Sequence, residues 1–374
     1  MNKDIKPHGG DIYESLLEGK PEPLDFSANI SPLGLPEGVK RALAGHAAEF
    51  ERYPDPHCRV LVSALSQKHG LSTSQIVCGA GSADLIFRIA QVCHFWPTWS
   101  EVEGANTMRP FRALVTAPAF SEYEKALTEA GAEIHHYPLY YPGFDVRDNI
   151  LDKIPGKEAV FLCNPNNPTG VLTSSETIKS IVYACENAGA TLILDECFMD
   201  LTDNPEEYTA EPLLGTHKNL IILKAFTKTF AMAGLRLGYA LCGSTGAAQS
   251  IKDIGPPWSV SVPAQIAGLQ ALAETAYLEK LRALIKTERE RLKKGLSDTG
   301  AEILGGSANY IFFRVQKALA EKLPQNLAAN GVLIRSCSNY IGLEDGSYFR
   351  VAVKLPEEND RLLHLMKELA SGIA

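Results

Sequence analysis

The run Ile221-Ile222-Leu223-Lys224-Ala225-Phe226-Thr227-Lys228-Thr229-Phe230, continued by Ala233-Gly234-Leu235-Arg236-Leu237-Gly238-Tyr239, decides how the chain is read. An apolar β-type run delivers one lysine into a turn of small residues, and an arginine set between two glycines follows eight positions later. Phe226, Phe230, Ala231 and Met232 surround Lys228 in sequence. Its ammonium is therefore expected to be partly desolvated, which favours the neutral, nucleophilic amine that a Schiff base requires. Arg236, between Gly234 and Gly238, suits the approach of a bulky anion such as a phosphate. Taken alone, the same residues also suit a core strand followed by a solvated loop. The rest of the chain separates the two.

Working outward, apolar runs at 75–78, 112–116, 159–163, 191–194 and 220–223 alternate with helical patterns. That rhythm predicts an α/β fold with a mostly parallel central sheet wound with helices. The runs lead into Gly79-Ala80-Gly81-Ser82, Ala117-Pro118-Ala119-Phe120, Asn164-Pro165-Asn166-Asn167-Pro168-Thr169-Gly170, Asp195-Glu196, and the turn bearing Lys228. Ligands of open α/β sheets bind beyond the carboxyl ends of the strands, so these loops are expected to converge on one crevice.

Residues 1–35 carry His8-Gly9-Gly10 and Asp25-Phe26-Ser27-Ala28-Asn29-Ile30 with little helical periodicity, and read as an arm laid over another surface. Helices are predicted over 36–49 and 60–70, with a turn at 51–55. The segment between Cys93 and Pro110 holds two of the three tryptophans and reads as an inserted loop or lid. A helical stretch over 262–294 leads to a smaller α+β domain, with strands at 308–315, 331–335 and 347–353 and helices at 318–329 and 356–370. The expected division is 1–50 as arm and part of the small domain, 51–260 as the large domain, and 261–374 as the small domain.

The chain has 374 residues, 45% hydrophobic and 21% charged, as in an ordinary globule. With 36 Lys and Arg against 44 Asp and Glu, its net charge of -8 argues against nucleic acid or an anionic membrane as the main partner. An anionic ligand would need a local cluster of positive groups. None of the eight cysteines forms a C-x-x-C pair, and they read as reduced thiols of a cytoplasmic protein. Adjacent His135 and His136 would point to opposite faces of a strand, so no structural metal is predicted. Neither a leader-like N-terminus nor a membrane-spanning run is evident.

Pyridoxal phosphate chemistry makes a short set of demands, and each has an answer at a strand end. Lys228 supplies the amine. Gly81, Ser82 and Ala83 open a helix whose N–H groups, with Arg236, suit the phosphate. Asp195 could hold the pyridine nitrogen protonated, although a strand-end aspartate also serves as a helix cap or metal ligand. Asn167 could bond the ring oxygen, and Phe120 could lie against the ring face.

These motifs, N-P-N-N-P-T-G at 164–170, L-D-E at 194–196 and T-K-x5-G-x-R-x-G at 227–238, resemble those of the fold type I pyridoxal phosphate enzymes of the aspartate aminotransferase superfamily. The resemblance implies that Lys228 is the Schiff-base lysine, Asp195 the partner of the pyridine nitrogen, Asn167 the partner of the ring oxygen, and Arg236 a phosphate ligand with Thr227 beside it. It also implies that Tyr53 reaches the cofactor phosphate of a neighbouring subunit, and hence a homodimer. H-G-G at His8, D-F-S-A-N-I at Asp25, E-R-Y-P-D at Glu51, P-W-S-V at Pro257 and L-I-R-S-C-S-N-Y at Leu333 resemble the threonine-phosphate decarboxylases, cobalamin-pathway relatives of the histidinol-phosphate aminotransferases. That likeness implies decarboxylation of a small phosphorylated amino acid: L-threonine O-3-phosphate to (R)-1-aminopropan-2-ol O-2-phosphate, or L-serine O-phosphate to ethanolamine phosphate. Arg350 with Asn29 is then expected at the substrate carboxylate, and Arg335 with His8 and Gly9 at its phosphate. Histidinol-phosphate aminotransferase is the alternative. Two positions depart from the superfamily: Ala225 stands where Ser or Thr usually binds phosphate, and Phe198 where aminotransferases place a tyrosine. The second departure agrees with the decarboxylase relatives.

Overall fold

The computed structural model describes residues 9–17, 19, 21–95 and 110–372, so His8 and the insertion at 96–109 lie outside the described residues. The arm contributes strand β1 (Leu24–Asp25). The large sheet follows, built from β2 (Ile76–Gly79), β3 (Arg112–Ala117), β4 (Glu133–Pro138), β5 (Ala159–Cys163), β6 (Thr191–Asp195), β7 (Leu220–Ala225) and β8 (Gly238–Cys242). Its order is β2-β8-β7-β6-β5-β3-β4, with every strand parallel except β8, which runs antiparallel to both neighbours.

The apolar runs are unbroken because both faces of the sheet are covered. Val160, Leu162, Leu192, Leu194, Leu220 and Ile222 enter one core, while Ala159, Phe161, Cys163, Ile193, Ile221 and Leu223 enter the other. Strand alternation thus feeds two cores from one run of sequence. Apolar runs do not pick out β4 and β8, although His135 and His136, read as strand residues, do lie in β4. The first is a polar edge strand, EIHHYP, and the second follows the Arg236 turn directly, with only the five residues GYALC.

The small domain adds β9 (Glu302–Gly305), β10 (Tyr310–Arg314), β11 (Val332–Leu333), β12 (Arg335–Ser336) and β13 (Tyr348–Ala352). The antiparallel sheet β12-β13-β10-β9 packs against helices Thr275–Asp298 and Pro356–Ser371. The strand predicted at 331–335 is in fact two: β11 pairs with β1, and β12 pairs with β13. The predicted helix at 262–294 breaks into Val262–Ala271 and Thr275–Asp298, because Glu274 leaves the helical region at φ -84, ψ 53. That at 318–329 divides into Lys317–Ala320 and Leu323–Ala329, with Pro324 in the first turn of the second. The helix predicted over 36–49 runs from Glu37–Gly45 and gives way to a 3-10 turn, Ala47–Glu51.

The arm is clamped into the small domain. Phe26 N–H donates to the Leu333 carbonyl at 2.8 Å, and Ala352 N–H donates to the Phe26 carbonyl at 2.8 Å. The Phe26 ring is fully buried with Ile311, Phe313 and Phe349. Burying such a ring contributes about 1.5–3 kcal/mol, so the D-F-S-A-N-I segment is anchored by its phenylalanine and presents its polar residues elsewhere. No helix among the described residues is long and apolar enough to cross a membrane.

Candidate active site

The carboxyl ends of β3, β5, β6 and β7 and the turn after β2 meet the arm and the small-domain sheet around a cavity of about 350 Å³. Lys228 enters it from the one-turn helix Phe226–Thr229, directly after β7. The residue is half-buried. Burial, then the guanidinium charges of Arg350 and Arg236, lower its pKa from 10.5 to about 8, against an opposite pull from Cys197 and Asp195. The Nζ atom stands 5.8 Å from the centroid of the Phe198 ring. Ser31 N–H donates to the Lys228 carbonyl at 2.9 Å, which ties the arm to the lysine turn.

Asp195 ends β6 and is 6% exposed. Its Oδ1 accepts from Cys197 N–H at 2.9 Å, and its Oδ2 accepts from the Tyr123 hydroxyl at 2.6 Å. Fixed donors thus hold both carboxylate oxygens. Phe120 lines the same cavity just before helix Ser121–Glu129, its ring set edge-on to Tyr123 at 5.7 Å.

At another end, Ser82 and Ala83 open the 14-residue helix Ser82–Phe95 against the cavity. Gly81 turns at φ +91, and a Cβ there would stand 2.7 Å from Arg236 Nη2. Arg236 itself adopts the left-handed region at φ 57. It is exposed, donates from Nη1 to the Ala233 carbonyl at 3.3 Å, and makes no ion pair among the described residues. The two glycines expected to admit an anion behave differently. A Cβ on Gly238 would lie 2.5 Å from Ser82 N, so that glycine lets the strand approach the helix start, whereas Gly234 has open space around it. Ala225 lines the cavity without a hydroxyl, and Thr227 stands beside it, buried.

Opposite this end lie two buried arginines. Arg335 on β12 and Arg350 on β13 are register partners, 5% and 6% exposed. Arg350 donates from Nη1 to Asn167 Oδ1 and from Nη2 to the Ser27 carbonyl at 2.8 Å. Asn29, with its amide oxygen turned to the guanidinium, accepts from Nε and Nη1 at 3.3 Å. All these acceptors are neutral. Because Asn167 uses its oxygen on Arg350, its Nδ2 is the atom left to donate to a ring oxygen. Arg335 donates to Asn339 Oδ1 at 2.8 Å and lies 5.3 Å from the centroid of the Tyr340 ring. Gly9 also lines the cavity, and a Cβ on it would come within 2.2 Å of the Ser27 carbonyl oxygen. Gly10 N–H donates to Ser27 Oγ at 2.8 Å, which in turn donates to Asp25 Oδ1 at 2.5 Å.

Tyr53 does not line this cavity. It is 78% exposed and lies 4.7 Å from Trp258, ring to ring, on the outer surface. Sequence reasoning missed Ser27, Tyr123 and Cys197. Tyr123 carried one available signal, its place one helical turn after Phe120. The donor set fits pyridoxal phosphate: an amine of lowered pKa, a buried carboxylate, a helix N-terminus with a guanidinium, and a glycine whose Cβ would fill the space beside that guanidinium.

Known proteins resemble the chain over nearly its whole length. Threonine-phosphate decarboxylase of Salmonella typhimurium is 35% identical over 373 residues, covering 98% of this chain and 97% of that one. Histidinol-phosphate aminotransferase 2 of Archaeoglobus fulgidus is 30% identical over 366 residues, covering 98% of each. The crystal structure of the histidinol-phosphate aminotransferase from Clostridium acetobutylicum matches with a TM-score of 0.84 at 28% identity, over 93% of this chain and 99% of that one. The aminotransferase class I and II family model matches residues 21–365, across both the sheet that carries Lys228 and the small domain that carries the paired arginines, and the chain belongs to that family.

Proposed function

We propose that the protein is a pyridoxal phosphate-dependent decarboxylase of a small O-phospho amino acid, L-threonine O-3-phosphate or L-serine O-phosphate. The observation that carries this reading is Arg350: a guanidinium 6% exposed, held by neutral acceptors and facing the same cavity as Lys228. A buried cation with no charged partner among the described residues favours an anionic group of the substrate. Arg335, opposite it in register, provides a second cation for a substrate with two anionic groups. The relatives of known name include a threonine-phosphate decarboxylase and a protein named as an adenosylcobalamin biosynthesis bifunctional protein, which supports a place in cobamide biosynthesis.

Pyridoxal phosphate, when bound, supplies an electron sink for the pair released at Cα. Asp195 would hold the ring nitrogen, Arg236 and the Ser82–Phe95 helix start would hold the phosphate, and Phe120 would flank the ring. Arg350 binds the substrate carboxylate and Arg335 its phosphate. Lys228, with its pKa lowered to about 8, exchanges a proton near neutrality and returns one to Cα. Phe198 contributes no hydroxyl, in keeping with decarboxylation. We further propose a homodimeric, cytoplasmic protein in which exposed Tyr53 serves the partner's cofactor phosphate, with domain limits at 50 and 260.

The test supplies purified protein and pyridoxal phosphate with O-phosphothreonine or O-phosphoserine, and in a separate arm with histidinol phosphate plus 2-oxoglutarate as amino acceptor, and follows CO2 and products by mass. CO2 with a phosphorylated amine, and no keto acid, is expected; a keto product from histidinol phosphate without CO2 would move the assignment to the aminotransferase. Arg335→Ala is expected to lower kcat/KM about 100-fold for the phosphorylated substrate, from loss of a charge-assisted contact. Equal losses on phosphorylated and dephosphorylated substrates would remove Arg335 from that role.

A further inference from the structure

Tyr123 has no role in the reading so far, yet its hydroxyl bonds directly to Asp195. The phenol is 1% exposed and donates to Asp195 Oδ2 at 2.6 Å, across 72 residues of chain. The ring is fixed between two others, Phe120 at 5.7 Å and Phe161 at 5.8 Å, so the hydroxyl has little freedom to leave the carboxylate. On the other side, Cys197 N–H holds Oδ1 at 2.9 Å. Burial, then the neighbouring Asp195 charge, pushes the phenol far above its ordinary range, so its proton stays in place as the donated one.

We propose that Tyr123 is a positioning residue that acts through Asp195, holding this carboxylate aimed at the cofactor's ring nitrogen. The inference rests on the assignment of Asp195 to that nitrogen. The hydrogen bond to Oδ2 fixes the carboxylate's orientation and engages the negative charge on that oxygen, so a proton between the carboxylate and the ring nitrogen stays on nitrogen. A protonated ring withdraws electrons from Cα more strongly. Without the phenol that hydrogen bond is lost, the proton shifts towards the carboxylate, and the ring withdraws less. Tyr123 therefore sets the strength of the electron sink without touching the substrate.

The experiment loads apoenzyme with pyridoxal phosphate isotopically labelled at the ring nitrogen and reads its NMR shift in the wild type, Tyr123→Phe and Asp195→Asn. Tyr123→Phe retains the packed ring, and circular dichroism with apoenzyme melting checks that it folds. The wild type is expected to give a protonated nitrogen. Asp195→Asn is expected to move the signal to the unprotonated range, and Tyr123→Phe part of the way. Cofactor affinity of the Tyr123→Phe apoenzyme is expected to fall about tenfold, as for loss of a hydrogen bond to a charged group. A lower kcat at unchanged KM should accompany it. A shift in Tyr123→Phe equal to wild type, while Asp195→Asn moves, would overturn the proposal. Identical shifts in all three would remove Asp195 from the ring nitrogen and take the proposal with it.

Discussion

At pH 7 the apoenzyme holds a desolvated ammonium at Lys228, close to the charges of Arg350 and Arg236. Its folded pKa of about 8 lies below the ordinary 10.5. Below pH 8 both folded and unfolded chains are protonated there, and the full cost of burying the cation is present. Between about 8 and 10.5 the unfolded chain keeps a proton that the folded chain has released, so this contribution to stability rises with pH. Urea unfolding of apoenzyme should therefore find Lys228→Met more stable than wild type at pH 7, with the difference shrinking as pH approaches 10.5. A difference that does not change with pH would place the ammonium in solvent. The lysine and Asp195 were legible in the sequence because each directly follows an apolar strand. Tyr123 was not, because its meeting with Asp195 depends on how helix Ser121–Glu129 packs on the sheet.

The ends of β6, β7 and β8 are joined away from the cavity by a buried ionic network. Lys224 Nζ on β7 lies 2.9 Å from Glu196 Oε2 and 2.7 Å from Glu211 Oε1. His69 Nδ1 meets Glu211 Oε2 at 2.7 Å, and its Nε2 meets the Tyr239 hydroxyl on β8 at 3.1 Å. Burial alone would raise the Glu211 carboxyl, but His69 and Lys224 pull it down to about 2. Glu196, 1% exposed, also accepts from Thr209 Oγ1 and from Ala210 N–H, both at 2.7 Å. Glu196 follows Asp195, and Lys224 precedes Lys228 by one helical turn of sequence, so the ion pair ties together the strand ends that carry the two groups. Lys224→Met should destabilise the protein by about 3–5 kcal/mol, because it leaves Glu196 buried without its cation. Denaturant unfolding measures this, and adding Glu196→Gln should recover part of the loss; no loss in the single variant would mean that water already compensates Glu196. In the sequence, Lys224 reads only as a polar interruption of an apolar strand.

On the scale of the molecule, the cavity draws on both sheets and the arm, while Tyr53, Val60 and Trp258 remain on the outside, 78%, 66% and 48% exposed. If Tyr53 serves a neighbouring copy, a hybrid of a Lys228→Ala chain and a Tyr53→Ala chain contains one intact and one doubly altered site. Co-expression with random pairing should then restore about a quarter of wild-type activity from two weak parents, as two-fold symmetry requires. Activity no greater than the mean of the parents would place Tyr53 outside the partner's site. By itself the sequence determined the strand runs, the turns at their ends, the lysine, and the residue types around it, because hydrophobic period and turn chemistry are local properties. Only the tertiary structure decided which distant groups meet: Arg335 opposite Arg350, Asn167 on Arg350 across 183 residues, and Tyr123 on Asp195. Those meetings follow from strand order, register and helix packing, and a one-residue change of register would turn each strand's side chains to the opposite face without altering any local pattern.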